Sequence, residues 1–138
     1  VELGIDIEHS NSTDSGYYTN LIRTTVLGES TTSDIHGSIF QGNQKRLVNI
    51  LGYEIDITPH GTLVFIQNKD VPGIIGKVGT MLGSASINIG AYFLSREFRD
   101  WNDGKAFGVI RVDNPVPEDV MEHLQQLPEI YSVRQLEC

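Results

Sequence analysis

The sequence predicts an α+β protein in two parts, with strands throughout residues 1–60 and strands alternating with two helices over 61–138. Three observations predict it. Over 61–138 the apolar pattern changes from short runs to spacings of three and four and back again, twice, which reads β-α-β-β-α-β. Over 1–60, runs rich in Val, Ile, Thr and Tyr are broken by Gly, Asn and Ser, and no segment carries a helical period. The composition, 39% hydrophobic and 20% charged, is that of a globular chain.

In the first part, Leu3-Ile5-Ile7 alternates with polar residues and predicts a strand. Ser10 to Gly16 is a polar loop. Tyr17 to Leu27 predicts a strand, Gly28 to Ser33 a turn, and Ile35 to Phe40 another strand. Gly42-Asn43-Gln44 is a turn. Leu47 to Ile50 and Tyr53 to Thr58 make a hairpin about Gly52. A sheet with one bare face is marginal, so its cover is expected from helices upstream of this segment or from another subunit.

In the second part, Leu63 to Gln67 is a short apolar strand. Pro72 opens a helix, where its missing N–H costs nothing. Ile74, Val78, Met81, Leu82 and Ala85 fall on one face of that helix. Gly76, Gly79 and Gly83 share a helical spacing and predict a close-packed face. Ile89 to Arg99 and Lys105 to Asp113 are strands about the turn Asp100-Trp101-Asn102-Asp103-Gly104. Arg96, Glu97 and Arg99 are expected to form a solvated strand face. Pro117-Glu118-Asp119 starts a second helix, striped by Val120, Leu124 and Leu127 and ended by Pro128. Ile130 to Leu136 is the last strand. This is the ferredoxin-like βαββαβ order, with two helices on one face of an antiparallel sheet and the other face wet or against a partner.

Composition narrows the function. The formal net charge is −8, with 10 basic against 18 acidic side chains, and no basic stripe offers itself to nucleic acid. No apolar run is long enough to span a bilayer. The start, Val1-Glu2-Leu3-Gly4, has no basic leader and no Met, which reads as a fragment. Cys138 is the one cysteine; a lone thiol fits a reducing, cytoplasmic setting and is expected to be inert. His9, His36, His60 and His123 have no metal-ligand spacing, so no metal is expected. Ser38, Ser84 and Ser95 lack a base and an orienting group, so no catalytic residue is assigned.

Asp70-Val71-Pro72-Gly73, between an apolar strand and a helix, carries the most chemistry. Free N–H groups and the positive end of the helix dipole meet there and suit a carboxylate. Asp70 or Asn88 could take the ammonium of the same ligand. Asp70 also suits a helix N-cap. Gly73-x-x-Gly76-x-x-Gly79 lacks the Gly-x-Gly of a dinucleotide fingerprint.

The pattern Asn68-x-Asp70-x-Pro72-Gly73-x-x-Gly76-Lys77-Val78-Gly79, followed by Ile87-Asn88-Ile89, resembles an ACT domain, an amino-acid-sensing module of metabolic enzymes. Tyr18-Thr19-Asn20-Leu21-Ile22, Gly37-Ser38-Ile39-Phe40-Gln41-Gly42 and Arg46-Leu47-Val48-Asn49-Ile50-Leu51-Gly52-Tyr53 resemble the allosteric substrate-binding domain that precedes it in long-form D-3-phosphoglycerate dehydrogenases. The resemblance implies part of an allosteric substrate-binding domain over 1–60 and an ACT domain over 61–138. It implies a regulatory segment without chemistry of its own, the parent's NAD being held in domains outside it. It further implies homo-oligomers that pair through ACT domains, with L-serine bound at the junction by Asn68, Asp70, Pro72 and Gly73 and by Asn88 reaching across. Lys45, Arg46 and Arg111 become candidates for a second, anionic site.

Two other readings stand beside this one. The segment could belong to the β portion of an iron–sulfur L-serine dehydratase, whose cluster cysteines a different segment would supply. It could also be a module that only dimerises.

Overall fold

The computed structural model describes residues 4–14, 16–96 and 104–138. Four strands come first: β1 (Ile22–Leu27), β2 (Thr32–Phe40), β3 (Gln44–Ile50) and β4 (Tyr53–Ile57). Then follow β5 (Thr62–Lys69), α1 (Ile74–Ser84), β6 (Ile89–Arg96), β7 (Lys105–Val112), α2 (Glu118–Gln125) and β8 (Ile130–Glu137). They form two antiparallel sheets, ordered β1-β2-β3-β4 and β6-β7-β5-β8. The α+β class and the βαββαβ order are as the sequence predicts.

The first sheet is a meander of tight turns. Gly42 and Asn43, at φ 76° and 60°, join β2 to β3 as a left-handed pair that matches strand twist. Ile50 pairs with Tyr53, so Leu51 and Gly52 alone make the next turn, at φ 54° and 87°. Leu51 is therefore a γ-branched residue in a conformation that favours Gly or Asn.

The second sheet holds the core. Val64 and Ile66 of β5 and Ile110 and Val112 of β7 face the helices and pack with Ile74, Val78, Leu82 and Leu124. Side chains alternate across a strand, so Leu63, Phe107 and Val109 face the other way. There they meet Ile50, Tyr53 and Ile57 of the first sheet. The Tyr53 and Phe107 rings stack at 5.2 Å between centroids.

That contact changes one expectation. The second sheet covers the β3–β4 end of the first, because β5 and β7 are apolar on both faces. Ile22, Val26 and Leu27 of β1 stay exposed.

Other differences are local. Ile5 and Ile7 are exposed in a segment without regular structure, and Leu3 lies outside the described residues. An alternating pattern becomes a strand only beside another strand, and none flanks it among the described residues. The strand predicted from Tyr17 begins only at Ile22. Just before it, the Asn20 amide acts as an extra rung: Nδ2 donates to Ile39 O at 3.0 Å and Oδ1 accepts from Ile39 N–H at 2.8 Å. Among the described residues the Gly76–Gly79–Gly83 face has no close neighbour, since a Cβ added at each would meet no atom within 4 Å. The turn at 100–103, with Trp101, and the strand end at Glu97 and Arg99, lie outside the described residues. Among those described, no helix is long and apolar enough to cross a membrane.

Leu51→Asn is expected to stabilise the chain by about 1 kcal/mol, because it relieves the left-handed strain and gives up little burial. Urea unfolding checks this: the midpoint rises with an unchanged slope.

Candidate functional site

β5 ends at Lys69, and Asp70 to Gly73 turn the chain into α1. The corner is tied on both sides. The Lys69 N–H donates to Glu129 O at 2.8 Å and the Asp70 N–H to Gly104 O at 2.7 Å. Gly73 sits at φ 91°, ψ −12° immediately before the helix. Proline thus lies two residues before the first helical position expected for it, because Pro72 and Gly73 form a turn of their own. The first helical bond runs from the Lys77 N–H to Gly73 O at 3.0 Å. No side chain caps α1, so its first-turn N–H groups and its positive dipole end face the corner.

Asp70 is not that cap. Its Oδ2 forms an ion pair with Arg96 Nε at 2.9 Å, which turns the carboxylate toward β6. Arg96 is correspondingly paired as well as exposed. Asn68 is 1% exposed and lies on the helix side of β5, in phase with Val64 and Ile66. Its Nδ2 donates to Lys69 O at 2.6 Å, while its Oδ1 is buried without a partner among the described residues.

Glu129 is the residue that sequence reasoning missed. It stands between α2 and β8, and only the pairing of β8 with β5 brings it beside Asn68. One carboxylate oxygen takes the Lys77 ammonium of α1, and the other is buried without a partner among the described residues. The hydrogen bond from Lys77 is the chief cause that holds the Glu129 carboxyl below its ordinary range.

Asn88 lies at the other end of α1. Its Nδ2 donates to Asp113 Oδ2 at 2.8 Å, and Ser86, at φ 59°, takes the left-handed position of the turn. An eleven-residue helix is about 16 Å long. Along the sheet, Asn68 pairs with Ala106, while Ile89 pairs with Val112 six residues on, about 20 Å away. One copy of the chain therefore does not bring Asn88 to Asn68, Asp70, Pro72 and Gly73.

The three basic residues of the second candidate site fall on two sheets, Lys45 and Arg46 on β3 and Arg111 on β7. Arg46 is held by Asp56 at 3.2 Å, and Lys45 is exposed beside it. Arg111 lines a cavity of about 390 Å³ with His60, Thr62, Gly90 and Asp113. A second cavity, about 450 Å³, is lined by Tyr17, Tyr18, Glu54, Asp56, Phe93 and Leu94 and is acidic. No group of three or more metal-ligating side chains occurs among the described residues. His36 is held by Asp34 at 2.6 Å.

A family model described as the ACT domain matches residues 62–129. Another, the D-3-phosphoglycerate dehydrogenase intervening domain, matches residues 1–51. Residues 62–129 belong to the ACT domain family, and residues 1–51 to that of the D-3-phosphoglycerate dehydrogenase intervening domain. The D-3-phosphoglycerate dehydrogenase of Bacillus subtilis is 32% identical over 133 residues, covering 96% of this chain and 25% of the relative. That of Archaeoglobus fulgidus is 31% identical over 99% of this chain and 26% of the relative. That of Methanocaldococcus jannaschii is 32% identical over 89% of this chain and 23% of the relative. The chain spans about a quarter of the length of these relatives. They are dehydrogenases, so the dehydratase reading is not favoured. A crystal structure of the ACT domain from GTP pyrophosphokinase of Chlorobium tepidum aligns with a TM-score of 0.41 and 18% identity, over 57% of this chain and all of that one.

Two outcomes follow for this ACT domain. Asp70→Ala removes an exposed ion pair and not a cap, so it should cost less than about 1 kcal/mol, read from the urea midpoint. The Lys77–Glu129 pair stabilises fully above the ordinary Glu value of 4.5 and is lost as pH falls through the lower folded value. Glu129→Gln should therefore flatten the acid side of a plot of Tm against pH. The acid limb that persists belongs in part to Asp34: desolvation raises its pKa, but hydrogen bonds from Thr25 and His36 and nearby positive charge outweigh it and hold the carboxyl low.

Proposed function

We propose that this chain is the L-serine-sensing regulatory segment of a cytoplasmic D-3-phosphoglycerate dehydrogenase, an NAD-dependent enzyme that oxidises 3-phosphoglycerate in L-serine biosynthesis. The segment does no chemistry. It binds the end product of the pathway, and the parent's missing domains hold NAD and the substrate.

The observation that carries this reading is the uncapped start of α1 beside the buried Asn68 amide. Backbone N–H groups there suit the carboxylate of an amino acid. Asn68 and Asp70 lie on the side where its ammonium and hydroxyl would sit, and Pro72 and Gly73 shape the loop over it.

Asn88 completes the site only from a second copy. Two ACT domains paired with opposite polarity bring the α1 corner of one against the Asn88 end of the other. The open glycine face of α1 and the edge strands β6 and β8 leave room for such pairing. Serine in that junction favours one arrangement of the pair, and only to the extent that it binds that arrangement more tightly. Coupling of this kind is typically about 1–3 kcal/mol.

Calorimetric titration with L-serine, glycine, other amino acids and a phosphate ester tests the reading. L-serine should give heat and raise Tm. If no amino acid does either while the dimer is intact, the chain is a pairing module alone. Asn88→Ala should abolish serine binding and leave the fold and the dimer unchanged by circular dichroism and sedimentation; unaltered affinity in that variant counts against the assignment.

A further inference from the structure

We infer that Glu129, acting with the Asn68 carbonyl oxygen, is the ammonium acceptor of this corner and makes it select α-amino acids over hydroxy acids of the same shape. The inference rests on the amino-acid reading proposed above, and it names a residue outside the α1 loop.

Two buried oxygens lack partners among the described side chains, Asn68 Oδ1 and Glu129 Oε2. They belong to neighbouring positions. Asn68 pairs with Ile130, and the Lys69 N–H reaches Glu129 O at 2.8 Å. Lys77, in the opening of α1, holds the other Glu129 oxygen and so fixes the carboxylate beside the uncapped turn.

Both orphan atoms only accept, so both call for a donor. A buried acceptor left unpaired costs about 1–3 kcal/mol. An ammonium has three N–H groups, enough to serve two acceptors at once. Its own carboxylate, two bonds away, then meets the helix N–H groups, with Lys69 and Lys77 adding positive charge nearby. A hydroxyl in place of the ammonium donates once and leaves one oxygen unpaired. Sites built around such groups reject the analogue that cannot satisfy them. The exposed Val71–Gly73 loop is the way in.

L-glycerate carries a hydroxyl where L-serine carries its ammonium, so the pair isolates this one group. Both are titrated into the native chain and into Glu129→Gln. The native chain should bind L-serine at least about tenfold tighter than L-glycerate. Glu129→Gln should lose about tenfold or more for L-serine, change little for L-glycerate, and bring the ratio toward one. If Glu129→Gln does not fold by circular dichroism, Glu129→Asp, which withdraws the carboxylate, carries the same expectation. A folded variant that keeps the native ratio overturns the role of Glu129 and leaves serine sensing standing. A native chain that binds no amino acid overturns both.

Discussion

Strands β5 and β7 are apolar on both faces, and the remaining architecture answers that constraint. Helices α1 and α2 cover one face; Ile50, Tyr53 and Ile57 of the first sheet cover the other. With both faces of β5 occupied, the chain leaves it at a corner and returns as α1 over the length of the sheet. The start of that helix and Asn88 after its end therefore sit at opposite ends of the layer. The separation, about 20 Å along the sheet, exceeds what one amino acid can bridge. The site proposed for serine therefore needs two copies of the chain.

The corner is unusual for how little it satisfies internally. Helix starts ordinarily recruit a Ser, Thr, Asp or Asn side chain. Here Gly73 precedes the helix, and Asp70, near enough in sequence to serve, is drawn off by Arg96. Asn68 spends its donor on Lys69 O and keeps its acceptor unspent. Glu129 is half-used by Lys77. Donors on one side and acceptors on the other match the two charges of a zwitterion. A phosphate ester would satisfy only the donors.

Much of this was legible in the sequence. Ile74, Val78 and Leu82 mark α1 by spacing alone, and the Gly42-Asn43 pair marks a hairpin. The resemblance carried by Asn68 to Gly79 pointed to the right fold. What failed, failed for physical reasons. Ile5 and Ile7 have the strand period but no strand beside them among the described residues. Asp70 has the chemistry of a cap, but the Pro72–Gly73 turn moves the helix start away from it. The cover over the β3–β4 end of the first sheet could not be foreseen from 1–60, because Leu63, Phe107 and Val109 supply it from the other half. Glu129 had no local signal at all; its place depends on β8 lying beside β5.

The central claim is that the amino-acid site is shared between two copies, and mixing two damaged chains tests it most directly. Asn68→Ala and Asn88→Ala chains are purified separately, shown to be folded and silent toward L-serine, then unfolded, mixed and refolded together. Random pairing in a two-fold dimer leaves about a quarter of the junctions with both Asn68 and Asn88 intact. The mixture should regain serine binding at about that fraction of native sites, while each variant refolded alone stays silent. A mixture as silent as its components, in dimers shown to have exchanged, would contradict the shared site.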